Sequence, residues 1–180
     1  KFKKHYLLFL LLIFIMSKFG TKAIHAGTEP DSATGAIMTP IYQTSTYIQN
    51  APGEHKGYEY SRTLNPTRHA LERNLAALEN GNYGLTFSSG LAAMDALLKS
   101  FKAGDEIISS NDLYGGSYRL FTKVFTDFGL KFHFVEMDDV TKVESLINVN
   151  TKMIWIETPT NPMMNIIDIK AISNLAKQYN

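Results

Sequence analysis

Three short stretches carry residue types that could act on a polar ligand. In Thr86-Phe87-Ser88-Ser89-Gly90-Leu91-Ala92-Ala93-Met94 an apolar run turns through serines and a glycine into a helical pattern. A helix start leaves its first N–H groups unpaired and partly positive, so a glycine turn there lets a phosphate approach the backbone. Asn111-Asp112-Leu113-Tyr114-Gly115-Gly116 sets an aromatic ring beside two glycines, and Glu157-Thr158-Pro159-Thr160-Asn161-Pro162 sets a carboxylate and an amide on a proline-stiffened loop. Brought together, an anion cradle, a ring, a carboxylate and an amide suit a planar, phosphorylated ligand with a polar rim. Each stretch alone also has a plain structural reading. Ser89 and Gly90 make an ordinary capped turn, Tyr114 flanks a turn, and Asn-Pro and Thr-Pro are common turn pairs.

The elements that must position these stretches alternate. Strands are expected over 84–87, 106–109, 131–135 and 153–156. Helices are expected over 91–101, 117–128 and 140–147, with a last one from Asp168. Leu85 and Phe87 suit the end of a buried strand; Leu91, Ala92, Met94, Ala96, Leu97 and Leu98 suit a buried helix. Phe121, Val124, Phe125 and Phe128 share one helical face, as do Ile169, Ile172, Leu175, Ala176 and Tyr179. Asn65-Pro66-Thr67 opens a further helix with Leu71, Leu75 and Leu78 as its inward stripe, Glu72 and Glu79 outside, and Gly81 as its stop. Alternating strands and helices predict an α/β fold, a mainly parallel sheet with helices on both faces. In such sheets ligands gather outside the carboxyl ends of the strands, where the three stretches fall.

Composition narrows the function classes. Hydrophobic residues make up 44% and charged residues 19%, a globular pattern, and a net charge of +1 argues against a nucleic-acid partner. With no Cys, disulfides, thiolate metal sites and a cysteine nucleophile are excluded, and the five His (His5, His25, His55, His69, His133) lack metal-ligand spacing. No metal is therefore expected. Residues 1–15 place Lys1, Lys3 and Lys4 before an apolar run from Tyr6 to Met16, too short to span a bilayer comfortably. We read them as a leader extended upstream of a start at Met16; a genuine leader or weak membrane anchor is the second reading. From Thr21 to Pro66 the chain shows little periodicity, many Gly and Pro, and a Thr/Ser/Tyr-rich stretch, and residues 16–66 form an expected arm lying across a neighbouring subunit. Residues 67–180 form the third segment, which reads as ending mid-fold at the helix from Asp168.

The chain resembles the cysteine and methionine metabolism family of pyridoxal-phosphate enzymes, the group of cystathionine γ-synthase, cystathionine γ-lyase, cystathionine β-lyase and methionine γ-lyase. The resemblance runs in family order through Thr21-Lys22-Ala23-Ile24-His25-Ala26-Gly27, Pro40-Ile41-Tyr42-Gln43-Thr44-Ser45-Thr46-Tyr47, Gly57-Tyr58-Glu59-Tyr60-Ser61-Arg62 and Asn65-Pro66-Thr67-Arg68. It continues in Ser88 to Ala93, Asp112 to Gly116 and Trp155 to Pro162. It implies an aspartate-aminotransferase-like fold of type I, incomplete, in which 67–180 is the first part of the cofactor domain. By resemblance, the backbone N–H groups of Gly90 and Leu91 hold the cofactor phosphate. Tyr60 and Arg62 reach the same phosphate from the adjacent subunit, although Arg62 read without the family is a solvated loop charge. Tyr114 stacks on the pyridine ring and assists proton transfer near the substrate amine, Asn161 bonds the ring hydroxyl, and Glu157 lies close by.

The implied cofactor is pyridoxal 5'-phosphate and the implied chemistry γ-replacement or γ-elimination on sulfur amino acids, as cystathionine γ-synthase or γ-lyase. Methionine γ-lyase and O-acetylhomoserine sulfhydrylase are the alternatives within the family. The resemblance further implies a cytoplasmic homotetramer built as a dimer of dimers, taking a small amino-acid substrate, with no nucleic acid and no membrane. It also demands a Lys in a Ser-x-Thr-Lys context to bind the cofactor covalently. Lys123, Lys142 and Lys152 follow Thr outside that context, so the 180-residue piece alone is expected to be inactive. A reading of another class makes it a non-catalytic paralogue or subunit-binding fragment.

Overall fold

The computed structural model describes residues 18–179, so the leader expected over 1–15 lies outside the described residues. The chain divides into two compact units, one ending at Thr86 and the other beginning at Phe87.

The first unit contains α1 (Phe19–His25), the hairpin β1 (Gln49–Ala51) and β2 (Glu54–His55), and α2 (Pro66–Leu78). The segment from Thr21 to Pro66 is thus less irregular than its sequence suggests. α2 starts as expected: Asn65 accepts from the N–H groups of Thr67 and Arg68, and Pro66 occupies an early position where a missing donor costs little. Its inward face is not the leucine stripe. Ala70 and Ala76 are buried, whereas Leu71 is 51% and Leu75 41% exposed. Small residues face inward because neighbouring backbone comes close. A Cβ on Gly84 would stand 2.2 Å from the carbonyl oxygen of Glu72, and Asn74 Nδ2 donates to the carbonyls of Lys22, Ala23 and Ala26 at the end of α1. Glu72, expected outside, turns to Thr86 and accepts from its N–H at 3.1 Å and its hydroxyl at 3.0 Å. At the end of α2 the left-handed residue is Asn80, with φ 53°, and Gly81 donates its N–H to Ala76.

The second unit holds a three-stranded parallel sheet in the order β4-β3-β5, with β3 (Glu106–Ser110) central between β4 (Lys131–Val135) and β5 (Thr151–Trp155). Successive residues of β3 feed opposite faces, as a pleated strand requires. Ile107 packs with Leu98 of α3 (Gly90–Leu98) and with Phe121 and Phe125, which follow α4 (Gly115–Leu120). Ile108 packs with Val143 of α5 (Val140–Glu144) and with Ile172 and Leu175 of α6 (Ile169–Tyr179). Both faces of the parallel sheet are covered by helices, as expected. The Phe121 ring lies parallel to that of Phe132 at 4.8 Å and edge-on to Trp155 at 5.7 Å.

Four expectations fail here. Residues 84–87 form no strand: among the described residues no neighbour pairs with them, and Leu85 is 75% exposed. A strand needs a ladder partner, and in its absence Thr86 is held by the Glu72 side chain instead. α3 buries Leu98 but leaves Leu91 and Leu97 exposed. The helix expected over 117–128 starts earlier and widens into a π turn at Phe121–Phe125. Its wider bonds change the angular phase, so Phe121 and Phe125 are buried while Val124 and Phe128 face out. Likewise only Ile172 and Leu175 of the expected α6 stripe are buried; Ile169 and Tyr179 are exposed.

Candidate functional site

In the second unit the loops after β3 and β5 are tied to each other. The backbone N–H of Tyr114 donates to Glu157 Oε2 at 2.9 Å, and the backbone N–H of Met163 donates to Asp112 Oδ2, also at 2.9 Å. Each loop thus gives one carboxylate to the other and receives one in return. Asn161 lies between the two ties, exposed, on a turn closed by the Thr160 N–H to the Asn165 carbonyl and the Asn165 N–H to Thr160 Oγ1, both 2.9 Å. The Thr158–Pro159 and Asn161–Pro162 bonds are cis.

Tyr114 precedes α4, its ring about half exposed, and the ring folds back over the helix start. A Cβ on Gly116 would meet Tyr114 Cε1 at 2.3 Å, so only glycine leaves that seat open. α3 packs against α4, and Gly90 and Leu91 form its first turn. Ser89 Oγ accepts from the Ala92 N–H at 3.1 Å and the Ser89 carbonyl accepts from Ala93. Among the described residues no protein acceptor meets the N–H groups of Gly90 and Leu91, and a Cβ on Gly90 would find open space. The capped turn leaves room for an anion: serine satisfies the deeper donors, and among the described residues the outer two meet no acceptor.

Of the expected second-unit residues, Tyr114 and Glu157 are brought into direct contact and Asn161 is held on the same loop. No hydrogen bond among the described residues links these to Gly90 or Leu91. A cavity of about 310 Å³ beside the same strand ends is lined by Ser110, Asn111, Glu136, Asp138, Thr160 and Asn165 among others, and by none of the five expected residues.

In the first unit Tyr60 and Arg62 form a pair of their own. The Arg62 guanidinium sits 4.6 Å from the centre of the Tyr60 ring, a cation–π contact, with both side chains exposed. Their loop is built firmly. The Tyr47 N–H donates to the Glu59 carbonyl, the Ser61 N–H to Ser45, and Thr46 bridges to Tyr60. Arg68 forks to the carbonyls of Ser61 and Thr63 at 3.1 and 2.6 Å, and Asn65 Nδ2 donates to Ser61 Oγ at 3.0 Å.

Sequence reasoning passed over Asp112, Gly116 and Arg68 as supports of these side chains. Asp112 and Gly116 each stand two positions from Tyr114, a spacing that marks a tight turn but not its partner 51 residues away. Among the described residues no group of three or more His, Asp or Glu could hold a metal, and no helix is long and apolar enough to cross a membrane.

Residues 20–180 match the model of the family described as Cys/Met metabolism PLP-dependent enzyme. A probable cystathionine gamma-synthase of Herpetosiphon aurantiacus is 53% identical over 161 residues, 89% of this chain and 50% of that protein. A cystathionine beta-lyase of Coxiella burnetii is 49% identical over 165 residues, 91% of this chain and 43% of the relative. The crystal structure of metB from Corynebacterium glutamicum superposes with a TM-score of 0.87 at 50% identity, covering 92% of this chain and 43% of that one. The chain spans about half the length, or less, of the relatives it matches. With residues 20–180 matched throughout, the chain belongs to the Cys/Met metabolism family of PLP-dependent enzymes, whose cofactor is pyridoxal phosphate.

Proposed function

We propose that this chain supplies the phosphate cradle, ring platform and polar rim of a trans-sulfuration enzyme acting on cystathionine-type amino acids by γ-replacement or γ-elimination. The observation that carries the reading is the pair of loop ties that holds Tyr114 and Asn161 at one sheet edge. The residues present fit the cofactor. Among the described residues the N–H groups of Gly90 and Leu91 meet no acceptor at the helix start, with open space over Gly90, as an anion requires. The cofactor, when bound, supplies an electron sink for a carbanion at the amino acid's α-carbon.

The protein residues do the rest. Gly90 and Leu91 would donate to the cofactor's phosphate oxygens. Arg62 adds a guanidinium whose parallel N–H groups match phosphate geometry, and Tyr60 adds its hydroxyl. Both come from the neighbouring copy in a homotetramer of tight dimers, whose compartment is the cytoplasm. The exposed ring of Tyr114 would offer a stacking face to the cofactor ring, and its phenolic oxygen would take or return a proton near the substrate amine. The Asn161 amide would donate to the cofactor's ring hydroxyl, and Glu157 keeps Tyr114 in place through its backbone. No lysine of the chain stands in the family's Ser-x-Thr-Lys context, so the 180 residues alone do not turn over substrate.

The test assays the full-length protein in both directions. Release of cysteine and 2-oxobutanoate from cystathionine, or formation of cystathionine from cysteine and an O-acylhomoserine, supports the γ-directed reading. Release of homocysteine and pyruvate makes the enzyme β-directed, as the name of the Coxiella relative would have it, and absence of all three reactions defeats the proposal.

A further inference from the structure

Asp112 is not among the residues that the family resemblance assigns to the cofactor, yet it holds the part of the β5 loop that carries Asn161. The turn from Thr160 to Asn165 is closed on itself by two hydrogen bonds of 2.9 Å, and Thr160 is buried. Such a turn moves as a unit. Two ties join this loop to the one after β3, one on either side of Asn161: Glu157, bonded to the Tyr114 N–H, and Met163, bonded to Asp112; a third bond, from the Ile167 N–H to Thr158 Oγ1 at 3.0 Å, lies within the β5 loop itself. Pro162 stands between Asn161 and Met163 and fixes the intervening φ, so anchoring the Met163 N–H fixes the Asn161 side as well. Tyr114 and Asp112 belong to one short turn, with the buried Leu113 between them as its root in the core.

We propose that Asp112 is a positioning residue that sets the distance between the Asn161 amide and the Tyr114 ring; this rests on the cofactor reading above. A carboxylate accepting a backbone N–H makes one of the stronger hydrogen bonds, and its loss frees one flank of the loop. The position of the acceptor oxygen outweighs its charge here, because a neutral amide oxygen in the same place still accepts the Met163 N–H, more weakly, whereas a displaced carboxylate loses the geometry. Three substitutions separate the two. Asp112→Ala removes the acceptor, Asp112→Asn keeps an oxygen in the same place without charge, and Asp112→Glu keeps the charge but moves it out by one methylene.

The experiment uses the full-length protein. Hydrogen exchange of the Met163 amide without cofactor reads the tie itself, and pyridoxal phosphate titration with the circular dichroism of the bound cofactor reads the site. For Asp112→Ala we expect Met163 protection to fall, cofactor affinity to weaken roughly ten-fold and the dichroic band to change. Asp112→Glu should show a smaller loss in the same direction, and Asp112→Asn should recover most of the wild-type affinity. Should Asp112→Ala not fold, the contrast between the Glu and Asn variants decides. Lost Met163 protection with affinity and dichroism unchanged gives Asp112 a merely structural role and overturns the proposal. So does a Glu variant equal to wild type beside a weakened Asn variant, which would assign the effect to charge. Wild-type protein that binds no pyridoxal phosphate overturns the cofactor reading itself, an outcome separate from either.

Discussion

The ring of Tyr114 occupies the place where a side chain on residue 116 would begin: a Cβ there would lie 2.3 Å from Cε1 and 3.0 Å from Cζ. Because the ring is 48% exposed, it has somewhere to go when pushed. Gly116→Ala should therefore swing the ring without disturbing the core, and Ala is favoured over Gly inside a helix by about 0.5–1 kcal/mol. We expect a thermal midpoint equal to or slightly above that of the wild type, with cofactor affinity lowered up to about ten-fold as ring stacking is lost. Differential scanning calorimetry and a pyridoxal phosphate titration on the full-length protein check the pair. Unchanged affinity would remove Tyr114 from the ring platform.

Arg62 is exposed and, among the described residues, has the Tyr60 ring as its contact. Its loop is held by Arg68 and Asn65, not by Arg62 itself. Arg62→Ala should accordingly leave stability within about 0.5 kcal/mol of wild type. Cofactor affinity should drop by about 1.5–3 kcal/mol, the scale of a charged hydrogen bond. Arg62→Lys should fall between, since it keeps the charge but not the fork. Measured equality of all three proteins in cofactor affinity would return Arg62 to a solvated loop charge.

How far the sequence disclosed this arrangement depended on whether a signal was local. The Asn65-Pro66 helix start and β4 at Lys131–Val135 follow from neighbouring residues and came out as expected. Where the outcome depended on distant partners, periodicity misled. Leu85 and Phe87 have a strand's composition, but no neighbouring strand is present among the described residues. Leu71 and Leu75 have a helix's spacing, but the close approach of Gly84 and α1 selects Ala70 and Ala76 for the interior. The same divide runs through the site. Ser89-Gly90 announces a capped helix start by itself, whereas the exchange of carboxylates between Asp112 and Glu157 spans more than forty residues and leaves no local mark.

Glu106 stands at the opposite end of β3 from the site and joins three segments. Its carboxylate accepts from Asn148 Nδ2 at 2.8 Å, meets His133 Nε2 at 2.7 Å and lies 3.4 Å from Lys131 Nζ. The hydrogen bond from Asn148, then that from His133, then Lys131, hold its pKa down at about 2, from an ordinary 4.5. A carboxyl depressed in the folded state stabilises that state above its unfolded value and loses the contribution as pH falls through the folded one. Denaturant midpoints should be steady above about pH 5 on this account and decline between about pH 4.5 and 2. Glu106→Gln should flatten that limb while lowering stability at pH 7. An acid limb identical in the variant and the wild type would show that other carboxylates carry it.

The lysines of the chain test whether cofactor binding here can become covalent. Lys142 Nζ donates to Asp138 at 2.8 Å and to Glu136 at 3.2 Å, and these hydrogen bonds, that to Asp138 first, raise its pKa above the ordinary lysine value. It stays protonated at neutral pH and is a poor nucleophile toward an aldehyde. Lys22 donates to Asn80 Oδ1 at 3.0 Å and Lys152 to the Val149 carbonyl at 3.1 Å. None of these stands on the loops that carry Tyr114 and Asn161. Incubation of the 180-residue chain with pyridoxal phosphate followed by borohydride should give no single stoichiometrically labelled lysine by peptide mass mapping. The full-length protein should give one, at a position outside this span. Stoichiometric label on Lys123, Lys142 or Lys152 would mean that the chain holds a complete covalent site, and the expectation of inactivity would fall with it.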